Sequence, residues 1–250
     1  MKEHLKKHET QAAYTAWFES NDFIRPNVSL IEADGSLGYN PIQPITYVIT
    51  ATFDIYDTDS SIRILGENYN TNTSNISKIK IDNVELPSVV STYNFSTTGE
   101  HTVLYTLSDS TIGDYMFASC GSITNIIISE GITSIGENAF YSCNHLTSIN
   151  ISNSVTTIGD NAFGDCYYMS NCVIGTGITS IGESVFYNNS DLNTLTIYAT
   201  TPPSLGDGNF VGEMSISSIY VPVASVDTYK ANNSWSNFSD YIYAIGSNNE

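Results

Sequence analysis

Residues 134–143 read Ser134-Ile135-Gly136-Glu137-Asn138-Ala139-Phe140-Tyr141-Ser142-Cys143. The phrase returns 23 residues later as Thr157-Ile158-Gly159-Asp160-Asn161-Ala162-Phe163-Gly164-Asp165-Cys166. It occurs earlier over 111–120 and later over 180–189, where Asn189 stands in the cysteine position. A fixed period in this range marks a stacked-repeat architecture.

Aligned on the Ile-Gly pair, the copies share a phenylalanine column, Phe117, Phe140, Phe163 and Phe186. Three apolar columns follow: Ile123, Leu146, Met169, Leu192; then Ile126, Ile149, Cys172, Leu195; then Ile128, Ile151, Ile174, Ile197. That is L-x-x-L-x-L spacing, the strand half of a leucine-rich repeat. One repeat cannot bury these columns alone, and stacking joins them into a continuous core. The other half of each copy pairs a hydroxyl with an acid three residues on: Thr111 with Asp114, Ser134 with Glu137, Thr157 with Asp160, Ser180 with Glu183, Ser204 with Asp207. That spacing predicts a capped helical turn. The acids also line up from coil to coil, and clustered oxygens suit calcium. Capping accounts for the column without an ion, so no metal is assigned. Cys120, Cys143 and Cys166 share one column and Cys172 falls in an Ile/Leu column, so all four are expected as packed, reduced thiols.

Upstream, residues 45–107 carry short runs rich in β-branched and aromatic residues at 45–56, 61–65, 76–81, 92–95 and 101–107, separated by polar turns. They predict a small β-sandwich. Residues 1–44 read as a short helix over 3–20 and a hairpin at Asp34-Gly35. This segment is too small to bury its own core. Its aromatics Trp17, Phe18, Phe23 and Tyr39 are expected to be covered by another chain, the alternative being a floppy leader. Downstream, residues 203–250 hold a degenerate repeat, a last strand at 219–222, a short helix at 225–231 with Ser225 as its cap, and Trp235, Phe238, Tyr241, Ile242, Tyr243 and Ile245 to close the stack. The fold class is therefore α+β and mostly β. Its parts are an N-terminal segment (1–44), a small sandwich (45–107), a repeat solenoid (108–202) and a C-terminal cap (203–250).

Composition excludes several classes. The net charge of -18, with eight basic residues, opposes a nucleic-acid groove. No apolar run reaches membrane-spanning length, and the start lacks the apolar region of a secretory signal. The histidines His4, His8, His101 and His145 are spread over three segments, and no G-x-S-x-G, phosphate loop or H-E-x-x-H occurs. No enzyme activity and no cofactor is expected.

The phrase Ile-Gly-(Asp/Glu)-x-Ala-Phe-x-x-Cys-x-x-Leu, with the ending Ile219-Tyr220-Val221-Pro222-Val223-Ala224-Ser225-Val226-Asp227-Thr228-Tyr229-Lys230, resembles the BspA-like (Treponema-type) leucine-rich repeats. The resemblance covers roughly 108–245 and implies a binding or adhesion scaffold. The stretch 23–41, with Arg25-Pro26-Asn27-Val28-Ser29-Leu30 and Gly38-Tyr39-Asn40-Pro41, resembles leaders of structural proteins from Bacteroidales tailed phages, including crAss-like phages. That resemblance implies a virion part such as a head or tail fibre. Its residues 1–44 would contact other virion proteins, and the class implies a homo-oligomer, taken as a trimer. The alternative location is the bacterial cell surface, as an adhesin.

Binding residues are sought between the core columns of the strands. Asn125, Ile127, Ser148, Asn150, Asn171, Val173, Thr194, Thr196 and Tyr198 form the candidate face for a host-surface protein or glycan. Tyr141, Tyr167, Tyr168 and Tyr187 have two open readings, packing between coils or stacking on a ligand.

Overall fold

A computed structural model describes residues 46–66, 70–210 and 216–247. The expected leader helix, the Asp34-Gly35 hairpin and the attachment residues Trp17, Phe18, Phe23 and Tyr39 lie outside the described residues. Residues Tyr47–Glu250 form one compact unit.

The chain first lays down β1 (Tyr47–Ile55), β2 (Ile62–Arg63), β3 (Ile76–Ile81), β4 (Val84–Glu85), β5 (Thr92–Tyr93) and β6 (Gly99–Leu107). The repeats supply β7 (Thr111–Ile112), β8 (Ile123–Ile128), β9 (Ser134–Ile135), β10 (Ser148–Ile151), β11 (Thr157–Ile158), β12 (Asn171–Ile174), β13 (Ser180–Ile181), β14 (Thr194–Ile197) and β15 (Ser204–Leu205). The chain closes with β16 (Ser218–Val221), the helix α1 (Val226–Ala231) and β17 (Ile242–Ala244).

The longer repeat strands stack in parallel in the order β8, β10, β12, β14, β16, and β17 extends that edge. The two-residue strands form a second parallel sheet, β7-β9-β11-β13-β15. The result is a mostly β solenoid, as the 23-residue period predicts.

A separate sandwich over 45–107 is not confirmed. Instead β1 pairs antiparallel with both β6 and β8, and β3 pairs with β6. One ten-stranded sheet therefore runs from β4 to β17. The physical reason is the open edge of the first coil: β8 needs a partner for its backbone groups, and β1 supplies it. Strand β1 alternates between buried and half-buried positions along its length, so one of its faces joins the core of the solenoid. The β3–β4 hairpin turns through Asp82 and Asn83, both with positive φ (48° and 68°), the conformation of a tight hairpin turn that Asp and Asn tolerate.

The core is a ladder of rings. Phe117, Phe140, Phe163, Phe186 and Phe210 stack with successive centroids 5.2, 5.3, 6.2 and 5.5 Å apart and planes within 12° of parallel. The ladder is closed edge-on at one end by Tyr105 and at the other by Phe238. Beyond Phe238, Trp235 and Ile242 are buried, and Trp235 donates its indole N–H to the Pro203 carbonyl at 2.8 Å. Tyr241 instead stays exposed, and Tyr243 lies on the outer face of β17. They do not close the stack as expected.

The expected helical turn is not formed. Each coil places residues in the left-handed region, Asn138 and Ser142 in one, Asn161 and Asp165 in the next, Ser184 and Asn188 in the third. Two such residues in a short turn break helical hydrogen bonding. Alternate amides are used between coils: Asn138, Phe140 and Ser142 donate to the carbonyls of Asp160, Ala162 and Gly164 at 2.8, 2.8 and 2.9 Å, while Tyr141 and Cys143 make local turn bonds to Asn138 and Phe140 at 3.1 and 3.2 Å.

The capping pairs are corrected accordingly. Asp114 and Asp160 accept the amides of Glu137 and Glu183, one coil on, at 2.8 and 2.7 Å. A side chain at Gly136, Gly159, Gly182 or Gly206 would collide with the backbone of the coil before it, and at Gly136 and Gly182 with those carboxylates as well, which explains the recurring glycine of the phrase. The Ser225 hydroxyl likewise makes no cap and donates to the Thr200 carbonyl at 2.9 Å.

Candidate functional site

The outward positions of the large sheet form two register rows. The first runs Lys80, Leu104, Thr50, Ile127, Asn150, Val173, Thr196, Tyr220 and Tyr243 across nine strands. The second runs Thr102, Thr52, Asn125, Ser148, Asn171 and Thr194, and its register partner on β16, Ser218, is buried. The fixed period causes this alignment: equal spacing puts equivalent residues in register, and parallel pairing carries that register from coil to coil.

The candidate residues are thus brought together. Asn125, Ser148, Asn171 and Thr194 occupy one row, and Ile127, Asn150, Val173 and Thr196 the other. Tyr198 follows β14 and is 45% exposed. Ser129, Ser152 and Gly175 do not extend the face as an open row. The Ser129 hydroxyl is buried and accepts the Val48 amide at 3.0 Å, Ser152 donates to the Ser129 carbonyl, and Gly175 is packed against Asn153.

Further positions on these rows escape the repeat alignment, four of them on β1, β16 and β17. Thr50 and Thr52 are added by β1, and Tyr220 and Tyr243 by β16 and β17. The alternation of β1 is visible in the sequence, but its partner strand is not. Tyr220 follows Ile219, which continues the Leu195 column one residue late.

The chemistry of the rows differs from that of the flanking columns. In the flanks, hydroxyls bind carbonyls one coil back: Thr147 to Thr124, Ser170 to Thr147, Thr156 to Thr133 and Thr179 to Thr156, at 3.0–3.3 Å. Among the described residues, the side-chain amides of Asn125, Asn150 and Asn171 and the hydroxyls of Ser148 and Thr196 have no such partner. From β8 to β17 neither row contains a charged side chain. The charges sit elsewhere, as Lys78 does in its 3.4 Å pair with Glu85 at the β3–β4 edge.

The tyrosines on the turn side are partly packed and partly exposed. Tyr141 donates to Asp165 and leans over Gly164, and its phenol is pushed up to about 12 by that hydrogen bond and by its burial. Asn188 donates to the same carboxylate at 2.9 Å. Tyr167, Tyr168 and Tyr187 are exposed, and His145 lies between Tyr56 and Tyr168 with ring centroids 6.2 and 5.7 Å away.

Other reactive groups are enclosed. Cys120, Cys143, Cys166 and Cys172 are free and buried. Burial pushes all four thiols up, Cys166 to about 12. Asn189 replaces the cysteine as a donor in its coil. Its amide reaches the Phe163 carbonyl at 3.0 Å, as the thiols of Cys143 and Cys166 reach those of Phe117 and Phe140 at 3.2 Å. Among the described residues no group of three or more His, Cys, Asp or Glu side chains is placed to hold a metal ion. None of the described helices is long and apolar enough to cross a membrane.

Comparison with known proteins agrees with this architecture. The model of the BspA type leucine rich repeat region matches residues 110–239 in six copies. No catalytic family is indicated. No curated protein matches the chain. Among solved structures, the T. pallidum leucine rich repeat protein TpLRR is similar at 20% identity and a TM-score of 0.43, over 49% of this chain and 54% of that one. The chain therefore spans about half the length of that neighbour.

Proposed function

Because the chain belongs to the BspA type leucine-rich-repeat family, matched over 110–239, we propose that it is a binding scaffold whose strand face engages a host-surface protein or glycan. The observation that carries this reading is the uncharged stretch of the two register rows from β8 to β14, where the side-chain amides of Asn125, Asn150 and Asn171 and the hydroxyls of Ser148 and Thr196 have no partner among the described residues while the flanking columns use theirs. Ladders of this kind present a broad, repetitive surface suited to an extended ligand.

The scaffold is placed on a phage particle, as a head or tail fibre or other surface appendage. What supports this placement is the resemblance of residues 23–41 to leaders of Bacteroidales phage structural proteins. Residues 1–44, with Trp17, Phe18, Phe23 and Tyr39, attach the protein to other virion proteins or to sister copies, in a homo-oligomer taken as a trimer. The runner-up is a bacterial cell-surface adhesin.

Mass spectrometry of purified particles tests the placement. The protein is expected among virion components, and a form lacking residues 1–44 is expected to fold but not to incorporate. Recovery with bacterial envelopes in the absence of particles favours the adhesin. Incorporation of the truncated form sinks the attachment role.

A further inference from the structure

The end of the strand face nearest the C-terminus differs from the rest. Tyr220 and Tyr243 are paired in register on β16 and β17, with ring centroids 6.3 Å apart at 45°. Tyr198 sits just beyond β14, two residues after Thr196, which is itself in register with Tyr220. These three are the aromatic residues of the face, and they are contributed by β16, β17 and the residue that follows β14, the strand next to β16. None of their hydroxyls has a partner among the described residues, whereas Tyr105 and Tyr229 donate to carbonyls at 2.7 and 2.9 Å.

We propose that Tyr198, Tyr220 and Tyr243, with Asn171, Thr194 and Thr196 beside them, form a binding site for a neutral, polyhydroxylated glycan. The site deepens the binding-scaffold reading and rests on it.

Three features select that ligand class. Tyrosine rings offer rigid apolar faces with a polar tip, suited to the C–H faces of sugars as well as to their hydroxyls. Amides and hydroxyls that both donate and accept match sugar hydroxyls, which do the same. The charge distribution excludes the charged alternatives. A chain of net charge -18 places none of its carboxylates on these rows between β8 and β17, so a cationic ligand has nothing to pair with there. Lys230 is the only basic residue beyond position 80, so a sulfated or sialylated glycan has no cationic cluster to meet. A protein partner is the weaker fit, because the rows hold neither Trp nor Arg, two of the residues that most often dominate such interfaces.

Affinity electrophoresis of the full chain tests the proposal, with mannan, a β-glucan and arabinoxylan as neutral probes, and chondroitin sulfate and gelatin as charged-glycan and protein probes. At least one neutral polysaccharide is expected to retard the protein, and added salt to leave the retardation unchanged. Tyr220→Ala or Tyr243→Ala should weaken it about tenfold, while Tyr220→Phe keeps most of it. Tyr198→Ala, at an exposed site, supplies the same readout should a strand variant fail to fold. Retardation by chondroitin sulfate or gelatin alone, retardation by none of the probes, or neutral binding that survives the tyrosine substitutions overturns the proposal. A protein found in particles yet retarded by no neutral probe sinks this inference and leaves the virion reading intact. Retardation of a protein absent from particles does the reverse.

Discussion

The ring of Tyr105 closes the phenylalanine ladder edge-on, its centroid 4.9 Å from that of Phe117 with the planes at 74°. Tyr105 belongs to β6 and anchors its hydroxyl on the Ile64 carbonyl at 2.7 Å. The segment before the repeats is therefore their N-terminal cap, as the Trp235–Phe238 region is their C-terminal one. Solenoids need both. Residues 108–250 expressed without this segment should aggregate, because the edge of β8 and the face of Phe117 are laid open. A soluble, monomeric, cooperatively folding fragment would contradict the capping role.

The middle of the ladder has no room to collapse. Phe163 is fully buried between Phe140 and Phe186. Phe163→Ala should destabilise the protein by about 3–5 kcal/mol, read by denaturant unfolding. A loss below about 1 kcal/mol, the scale of an Ile→Val change, would mean that neighbouring coils close the gap.

Asn189 offers a sharper substitution. It donates to the Phe163 carbonyl and accepts the Cys166 amide at 2.8 Å, with no exposure. Asn189→Ala strands two buried backbone groups and should cost about 1–3 kcal/mol. Asn189→Cys restores the residue used in three other coils and should cost clearly less. Equal losses for the two variants would refute the shared hydrogen-bonding role.

The four thiols should be silent in the native state. Burial holds them protonated, Cys166 up to about 12, and the thiolate is the reactive form. Incubation with a thiol reagent near pH 8 should label no cysteine, and all four should react on unfolding. Fast labelling of native protein would show local opening of the repeats.

Stability should depend on pH through His101 and Asp82. The imidazole Nδ1 lies 2.6 Å from the Asp82 carboxylate and Nε2 lies 2.9 Å from the Thr97 carbonyl. Desolvation lowers the His101 pKa, but those two acceptors outweigh it and the net shift is upward. Desolvation raises Asp82, and hydrogen bonds from His101 and the Thr102 amide turn its net shift downward. The histidine's contribution is present below its unfolded value of 6.5 and fades as pH rises through the raised folded value. The aspartate's is present above its unfolded value of 3.8 and fades as pH falls through the lowered one. The melting temperature lost in His101→Gln should therefore be greatest between these two unfolded values and shrink in alkali. A loss independent of pH would assign His101 a packing role only.

The repeat columns are legible in the sequence because a strict 23-residue period needs no tertiary knowledge. Phe140, Cys143 and Ile149 declare their burial by recurring, and Asn125 to Thr196 declare the outer face by falling between buried columns. The turn misleads because Ser134 and Glu137 satisfy a capping pattern locally. Only the neighbouring coil, 23 residues away, offers the carbonyls and amides that win those hydrogen bonds. For the same reason Thr50, Tyr220 and Tyr243 cannot be assigned to the face from sequence. Alternation tells which way a side chain points, but strand partners are chosen by unmet edges such as that of β8, and those exist only once the coils are stacked.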